Sequence, residues 1–248
     1  MVLLLAAMPL EGQSAKASDA DSAGAARVFE RYVAALGGEE ALRSIRWRRM
    51  RTVASFPAGI ETESEHLASH PDKVLVRTWS GGALMSEVGY DGQTGWSHVA
   101  QAGRPSLIEG AALDQLRAQA DLRALVNLPS TPARSMRLLT PRTFEGVPAV
   151  AVEVQDANGG SVMYFDPSTG LLVGVEQRME GSGPDSQGSV SFHDYKKFGP
   201  ILVASRTVFK VGKRELTFRV VSLSFEPIDS AEYIPPKAVQ ALLADRKP

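Results

Sequence analysis

The chain contains no cysteine. This excludes disulfides, thiol nucleophiles, thiolate metal sites and the lipid-attachment cysteine of a bacterial lipoprotein. A dominant charge is also missing: 27 Lys and Arg stand against 28 Asp and Glu, for a net charge of −1. No field therefore draws the chain to nucleic acid or to an anionic membrane surface. No His-Glu-x-x-His, Gly-x-Ser-x-Gly or phosphate-loop string occurs, so no familiar metal, nucleophile or nucleotide signature marks an enzyme or calls for a cofactor. The only long apolar start, Val2 to Leu10, is too short to span a bilayer.

With 44% apolar and 22% charged residues over 248 positions, there is ample material for a core and enough charge for solubility. The Val2–Leu10 run, followed by Ser14, Ala15, Lys16, Ala17 and Ser18, has the form of a short signal h-region with small-residue cleavage options. An apolar tail packed on the domain is the alternative. The expected organisation is a signal remnant and linker over residues 1–20 and one domain over residues 21–248, exported to the periplasm with no transmembrane span in the mature chain.

Ala25, Val28, Phe29, Tyr32, Val33 and Leu36 recur at helical spacing. Asp21 or Ser22 can cap this helix, and Gly37–Gly38 can end it. The period then changes to two. Strands are expected over Trp47–Phe56, Ile60–Ser69, Lys73–Trp79, Leu84–Tyr90 and Trp96–Ala100, and again over Ser135–Thr143, Ala149–Gln155, Ser161–Asp166, Leu171–Glu180, Ser189–Tyr195, Val203–Val211 and Glu215–Phe225. Between the two groups, Ile108 to Val126 reads as one amphipathic helix ended by Pro129 and Pro132, and a short helix over Lys237–Ala244 closes the chain. The turns Tyr90-Asp91-Gly92-Gln93-Thr94-Gly95-Trp96 and Asp166-Pro167-Ser168-Thr169-Gly170 are tight reversals. A dozen strands joined by short turns imply a mainly β, meandering antiparallel sheet, with the central helix laid on one face.

Several strings, in this order, resemble the periplasmic lipoprotein-carrier (LolA-like) superfamily and its exported, outer-membrane lipoprotein-sorting-like relatives. They are Tyr32-Val33-Ala34-Ala35-Leu36-Gly37-Gly38-Glu39-Glu40-Ala41-Leu42, His70-Pro71-Asp72-Lys73-Val74, Tyr90 to Trp96, Phe165 to Leu171, and Val221 to Pro236 with its Ile-Pro-Pro ending. The resemblance runs from Ala25 to Pro236. It implies an antiparallel half-barrel with an N-terminal helix and a central lid helix, enclosing a cleft for an acyl chain or apolar peptide. In such carriers a strand arginine latches the lid; Arg49 and Arg51, on the first strand, are the candidates here. The lid region is longer and more charged than a minimal carrier needs, so the implied cargo stays generic: a lipid, an acyl chain or a lipidated protein segment.

The expected lining of a hydrophobic cleft is Met50, Phe56, Val76, Trp79, Met85, Tyr90, Trp96, Leu113, Leu116 and Leu122, since aromatics and methionines supply adaptable apolar area. Ordinary core is the competing reading for each, and a one-residue slip in strand parity would exchange the set. Glu61, Glu63 and Glu65 project together as a solvated face or a weak cation site. Arg48, Arg49 and Arg51 read as a solvated edge that discourages sheet pairing, or as a patch for anionic lipid head groups or a partner protein. His66, His70, His98 and His193 are expected on the surface or in hairpins, with none reaching a nucleophile in a pocket and no metal bound. The expected function is non-enzymatic periplasmic binding of a hydrophobic ligand, in lipid or lipoprotein trafficking. An envelope interaction or stress-sensing module with a filled cleft and, third, a hydrolase are the alternatives.

Overall fold

A computed structural model describes residues 19–100, 104–127, 135–156, 159–178 and 187–245. The signal and most of the linker expected at the N-terminus lie outside the described residues. Two helices, α1 (Asp19–Ala35) and α2 (Glu39–Ser44), lead into β1 (Trp47–Ser55), β2 (Glu61–Ser69), β3 (Lys73–Ser80), β4 (Ala83–Tyr90), β5 (Gly95–Val99) and β6 (Pro105–Ile108). After α3 (Gly110–Ala120) and α4 (Ala124–Asn127) come β7 (Ser135–Leu138), β8 (Arg142–Phe144), β9 (Val147–Asp156), β10 (Gly159–Phe165), β11 (Leu172–Arg178), β12 (Gln187–Phe198), β13 (Ile201–Val211) and β14 (Arg214–Ser224). A 3-10 turn (Ser230–Tyr233) and α5 (Lys237–Asp245) complete the described chain. The hydrogen-bonded order is β6-β5-β4-β3-β2-β1-β14-β13-β12-β11-β10-β9-β7, with β8 beside β9.

The mainly β, antiparallel fold matches the expectation, with three differences in its elements. The central helix begins at Gly110 and breaks after Ala120, resuming as α4; its expected first residue, Ile108, instead ends β6, which pairs with β5 from Gly95↔Ile108 to His98↔Pro105. The expected Ser135–Thr143 strand is two short strands, because both pair with β9 at separate places. Asp21 and Ser22 lie inside the first turn of α1 rather than at its cap, a place where a carboxylate is favoured by the helix dipole.

The chain divides into two compact units. One contains α1, α2 and β7–β13. Here Phe29 and Tyr32 of α1 meet Phe165 edge-on, with ring centroids 5.4 and 5.5 Å apart. The helix ends as expected on Gly37 and Gly38, with φ of 129° and 93°. A side chain at Gly37 would also strike the Pro200 carbonyl, beside the point where Leu202 N donates to Leu36 O. On the opposite face of β9 and β10, Phe144 stacks on Tyr164 and joins Ala149 and Ala151. The Asp166 turn forms as expected. Its Oδ1 accepts from Ser168 N and Thr169 N at 2.7 and 2.8 Å, and Gly170 takes φ 76°. Hydrogen bonding from the Ser168 hydroxyl and these amides holds the Asp166 pKa down at about 2.

The other unit contains β1–β6, α3 and the chain from Phe218 onward. Both faces of its strands are covered. On one, Leu116 and Ala120 of α3 pack with Val74 and Tyr90, flanked by Val76, Val88, Ile108 and Leu113. On the other, Tyr233 and Val239 of the C-terminal segment pack with Leu67, Leu75, Trp96 and Ile228. These two clusters fix which member of each strand's alternation faces which cover.

Candidate functional site

The register of β1–β5 assigns every strand residue to one of these faces. Three rungs lie on the α3 side: Arg48↔Ala68↔Val74↔Tyr90↔Gly95, then Met50↔His66↔Val76↔Val88↔Ser97, then Thr52↔Ser64↔Thr78↔Ser86↔Val99. The opposite side carries Arg49↔Leu67↔Leu75↔Gly89↔Trp96 and Arg51↔Glu65↔Arg77↔Glu87↔His98. The first set has no carboxylate; all four strand glutamates, Glu61, Glu63, Glu65 and Glu87, fall in the second.

Of the expected lining, Met50, Val76, Tyr90, Leu113 and Leu116 are brought together with α3 or on the face it covers. Trp79 and Trp96 are not. Trp79 pairs with Glu63 on the other face, where a bulge at Thr78/Trp79 shifts the register with β4, and Trp96 is fully buried under the C-terminal segment. Met85 sits at that bulge. Phe56 is 39% exposed beyond the end of β1, and Leu122 lies half-buried in the bend between α3 and α4. Large aromatics suggest a cleft by composition, but parity sends Trp96 to the second core and Trp79 to the same face outside it.

Arg49 and Arg51, the expected latches, also face away from α3. Arg49 binds Glu65 and Glu232 at 3.1 and 2.9 Å, and Arg51 binds Glu63 at 3.3 Å. Arg77 completes the array with Glu87 and Glu232, both at 3.0 Å. Glu63 and Glu65 are thus arginine partners and Glu61 accepts from Ser55 Oγ at 3.0 Å, and among the described residues no group of acidic or histidine side chains could hold a metal. The array ties the 3-10 turn carrying Glu232 to the sheet, and the hydrogen bonds from Arg49 and then Arg77 hold the Glu232 carboxyl below its ordinary pKa. Replacing Glu232 with Gln should cost about 1 kcal/mol, since the pair groups are part-exposed and screened. The loss should shrink in high salt, read as a shift of the urea midpoint; a salt-independent shift would place the effect elsewhere.

The contact that holds α3 comes from the helix itself. Arg117 Nε donates to Tyr90 Oη at 3.2 Å and its guanidinium lies 5.3 Å from the ring centroid, while Tyr90 donates to the Gly92 carbonyl at 2.8 Å. Gly95, which reads in sequence as turn chemistry, has a different use. A Cβ there would come within 2.7 Å of Leu113, so the missing side chain lets the helix approach. Gly92, with φ 100° and Asp91 accepting from two turn amides, makes the reversal.

β1 is paired on both sides, so its arginines are not an edge device. Arg48 points opposite to Arg49 and Arg51. It is half-buried, with a fully buried Nε that has no partner, and on the same face Thr52 Oγ1 is buried without one. His66 stands diagonal to both on the neighbouring strand. Burial and then the nearby Arg48 charge lower its pKa to about 4, so it is neutral at ordinary pH.

The histidine expectation needs two corrections, the first being that His66 is part-buried within β2 rather than at the surface or in a hairpin. His193 Nε2 lies 2.8 Å from Ser191 Oγ, two residues apart on one face of β12. Ser191 is 3% exposed, however, and Asp194, in a left-handed conformation (φ 55°), gives its carboxylate to Arg206 at 2.8 Å. A buried serine whose neighbouring acid is engaged elsewhere lacks the access and orienting group of a hydrolytic triad.

Strand order and helix placement define a LolA-like fold, and solved structures bear this out. A LolA superfamily protein from Nitrosomonas europaea matches with a TM-score of 0.54 at 9% identity, over 82% of this chain and 97% of that one. A Vibrio parahaemolyticus domain provisionally assigned to outer membrane lipoprotein sorting matches with 0.56 at 11% identity, over 86% and 97%. A DUF1329 family protein from Desulfovibrio piger matches with 0.59 at 8% identity, over 85% and 97%. No protein-family model and no curated protein matches the sequence. At these identities the likeness is one of fold. No described helix is long and apolar enough to cross a membrane.

Proposed function

We propose that the chain is a periplasmic, non-enzymatic binding protein that takes a hydrophobic ligand between α3 and the β1–β5 face it covers, in lipid or lipoprotein trafficking. The observation that carries this reading is the mode of attachment of α3. It rests on the sheet through an apolar cluster and the polar contact Arg117–Tyr90, so that lifting it exposes apolar surface and breaks that charged hydrogen bond. An acyl chain replacing those contacts gains about 0.8 kcal/mol per buried methylene, offset by displacing Leu113 and Leu116. The LolA-like fold supports the same direction, as does the assignment of the Vibrio relative to lipoprotein sorting.

The cargo class is a lipid, an acyl chain or a lipidated protein segment. The reading takes residues 21–248 as one working domain and residues 1–20 as a signal remnant and linker. The test is mass spectrometry of an organic extract of protein purified from a periplasmic fraction, together with uptake of the neutral apolar fluorophore N-phenyl-1-naphthylamine. Co-purifying lipid and fluorophore uptake are expected. An empty extract with no uptake would overturn the proposal. One observation favours a second reading, an envelope interaction module with a filled cleft: Met50 and Leu116 are already 1% and 4% exposed. That reading calls for the empty extract.

A further inference from the structure

We propose that the ligand of this face is an anionic amphiphile, a long-chain carboxylate, whose head group is held by Arg48 with His66 beside it. The inference rests on the binding reading above and assigns it a ligand class and an orientation.

A guanidinium is charged at any physiological pH and offers five donors. Sunk into a sheet face, it needs an anion or hydrogen-bond acceptors to offset lost hydration. Arg49, Arg51 and Arg77 obtain this from glutamates. Arg48 does not. Its buried Nε has no partner, and among the described residues no carboxylate pairs with it. The register explains why: every glutamate of β2 and β4 projects from the opposite face. The acidic residue on α3, Asp114, has a side chain 75% exposed and lies beside Arg117.

The surroundings have the polarity of a head-group subsite. His66 is diagonal to Arg48 across the β1–β2 pair, about 7–8 Å away between such positions. Neutral, it can donate one hydrogen bond to a carboxylate without repelling Arg48. Thr52, 3% exposed with an unpartnered hydroxyl, follows beyond Met50 on the same strand. From this corner the apolar positions Met50, Val76, Val88 and Leu116 run toward β4 and α3, a path for the chain. A neutral lipid would leave the guanidinium unmatched; a carboxylate supplies the missing charge.

The experiment compares the fluorescent acid 11-(dansylamino)undecanoic acid with its methyl ester, which lacks the charge and carries one additional methyl group that favours apolar burial. The expected result is tighter binding of the acid by about tenfold or more, the worth of one charge-assisted hydrogen bond. Arg48→Met should remove that preference by weakening binding of the acid far more than that of the ester, while Arg48→Lys retains part of it. Circular dichroism and urea unfolding check that each variant is folded. Equal binding of acid and ester by the unaltered protein, or an equal loss of both in Arg48→Met, would overturn the assignment while leaving the binding reading intact. Failure of both probes to bind would remove the binding reading and the assignment with it.

Discussion

Replacing Trp96 with Ala should destabilise the protein by about 3–5 kcal/mol, the range for deleting a fully buried indole. Trp96 has no exposed surface and joins Leu67, Leu75, Tyr233 and Val239 beneath the C-terminal helix. Its cross-strand partner is Gly89, and a Cβ added there would come within 2.3 Å of the ring. Gly89 is therefore occupied by its neighbour: the indole lies over the bare backbone of β4. Gly89→Ala should cost about 1–3 kcal/mol by overpacking. The double variant should lose less than the sum, because the new methyl enters space the indole has left. Urea unfolding of the four proteins measures this cycle. Additive losses would mean that Trp96 does not lie on Gly89. The variants should also free Val239 and Leu243 of α5, so the far-UV spectrum should lose helix before the sheet unfolds.

The pair was only half legible in the sequence. Trp96 stands out by composition, but its size suggests a ligand cleft as readily as a core, and period-two alternation does not say which face is which. Where one face is solvated, polarity answers that question. Here α3 covers one face and the C-terminal segment the other, so Val74 and Leu75, adjacent and both apolar, are buried in different clusters. The turns were legible because Asp91 and Asp166 accept from amides two and three residues on, which is local chemistry. Pro105–Ile108 was not, because four residues without alternation that run into a helical pattern carry no strand signal of their own. Arg48 was hidden by its neighbours. Three arginines within four positions read as one solvated cluster, and only the register shows that one of them turns the other way.

The environment of His66 leads to a second large effect, sensitivity to mild acid. The folded pKa of about 4 lies below the ordinary 6.5, through burial first and the Arg48 charge second. As pH falls below 6.5 the unfolded chain takes up the proton and the folded chain does not. Stability is therefore complete above pH 6.5 and declines until the folded group titrates near 4. Between pH 7.5 and 4.5 the loss is about 2.5 kcal/mol, at about 1.4 kcal/mol per unit. Carboxylates such as Asp166 and Glu232, whose pKa values are lowered, give up their contributions mainly below this window. His66→Leu keeps the volume and cannot titrate, so its stability should fall far less over the same range, and subtracting the two pH profiles isolates the histidine. Parallel profiles would show that His66 is charged or solvated in the folded protein. The loss should also fall when a carboxylate ligand is bound, because an anion at Arg48 offsets the repulsion that a protonated His66 meets. Ligand of the proposed class is thus expected to protect the protein most in the acid half of the window while its own carboxyl stays ionised, because a bound anion raises the folded pKa of His66 toward its ordinary value.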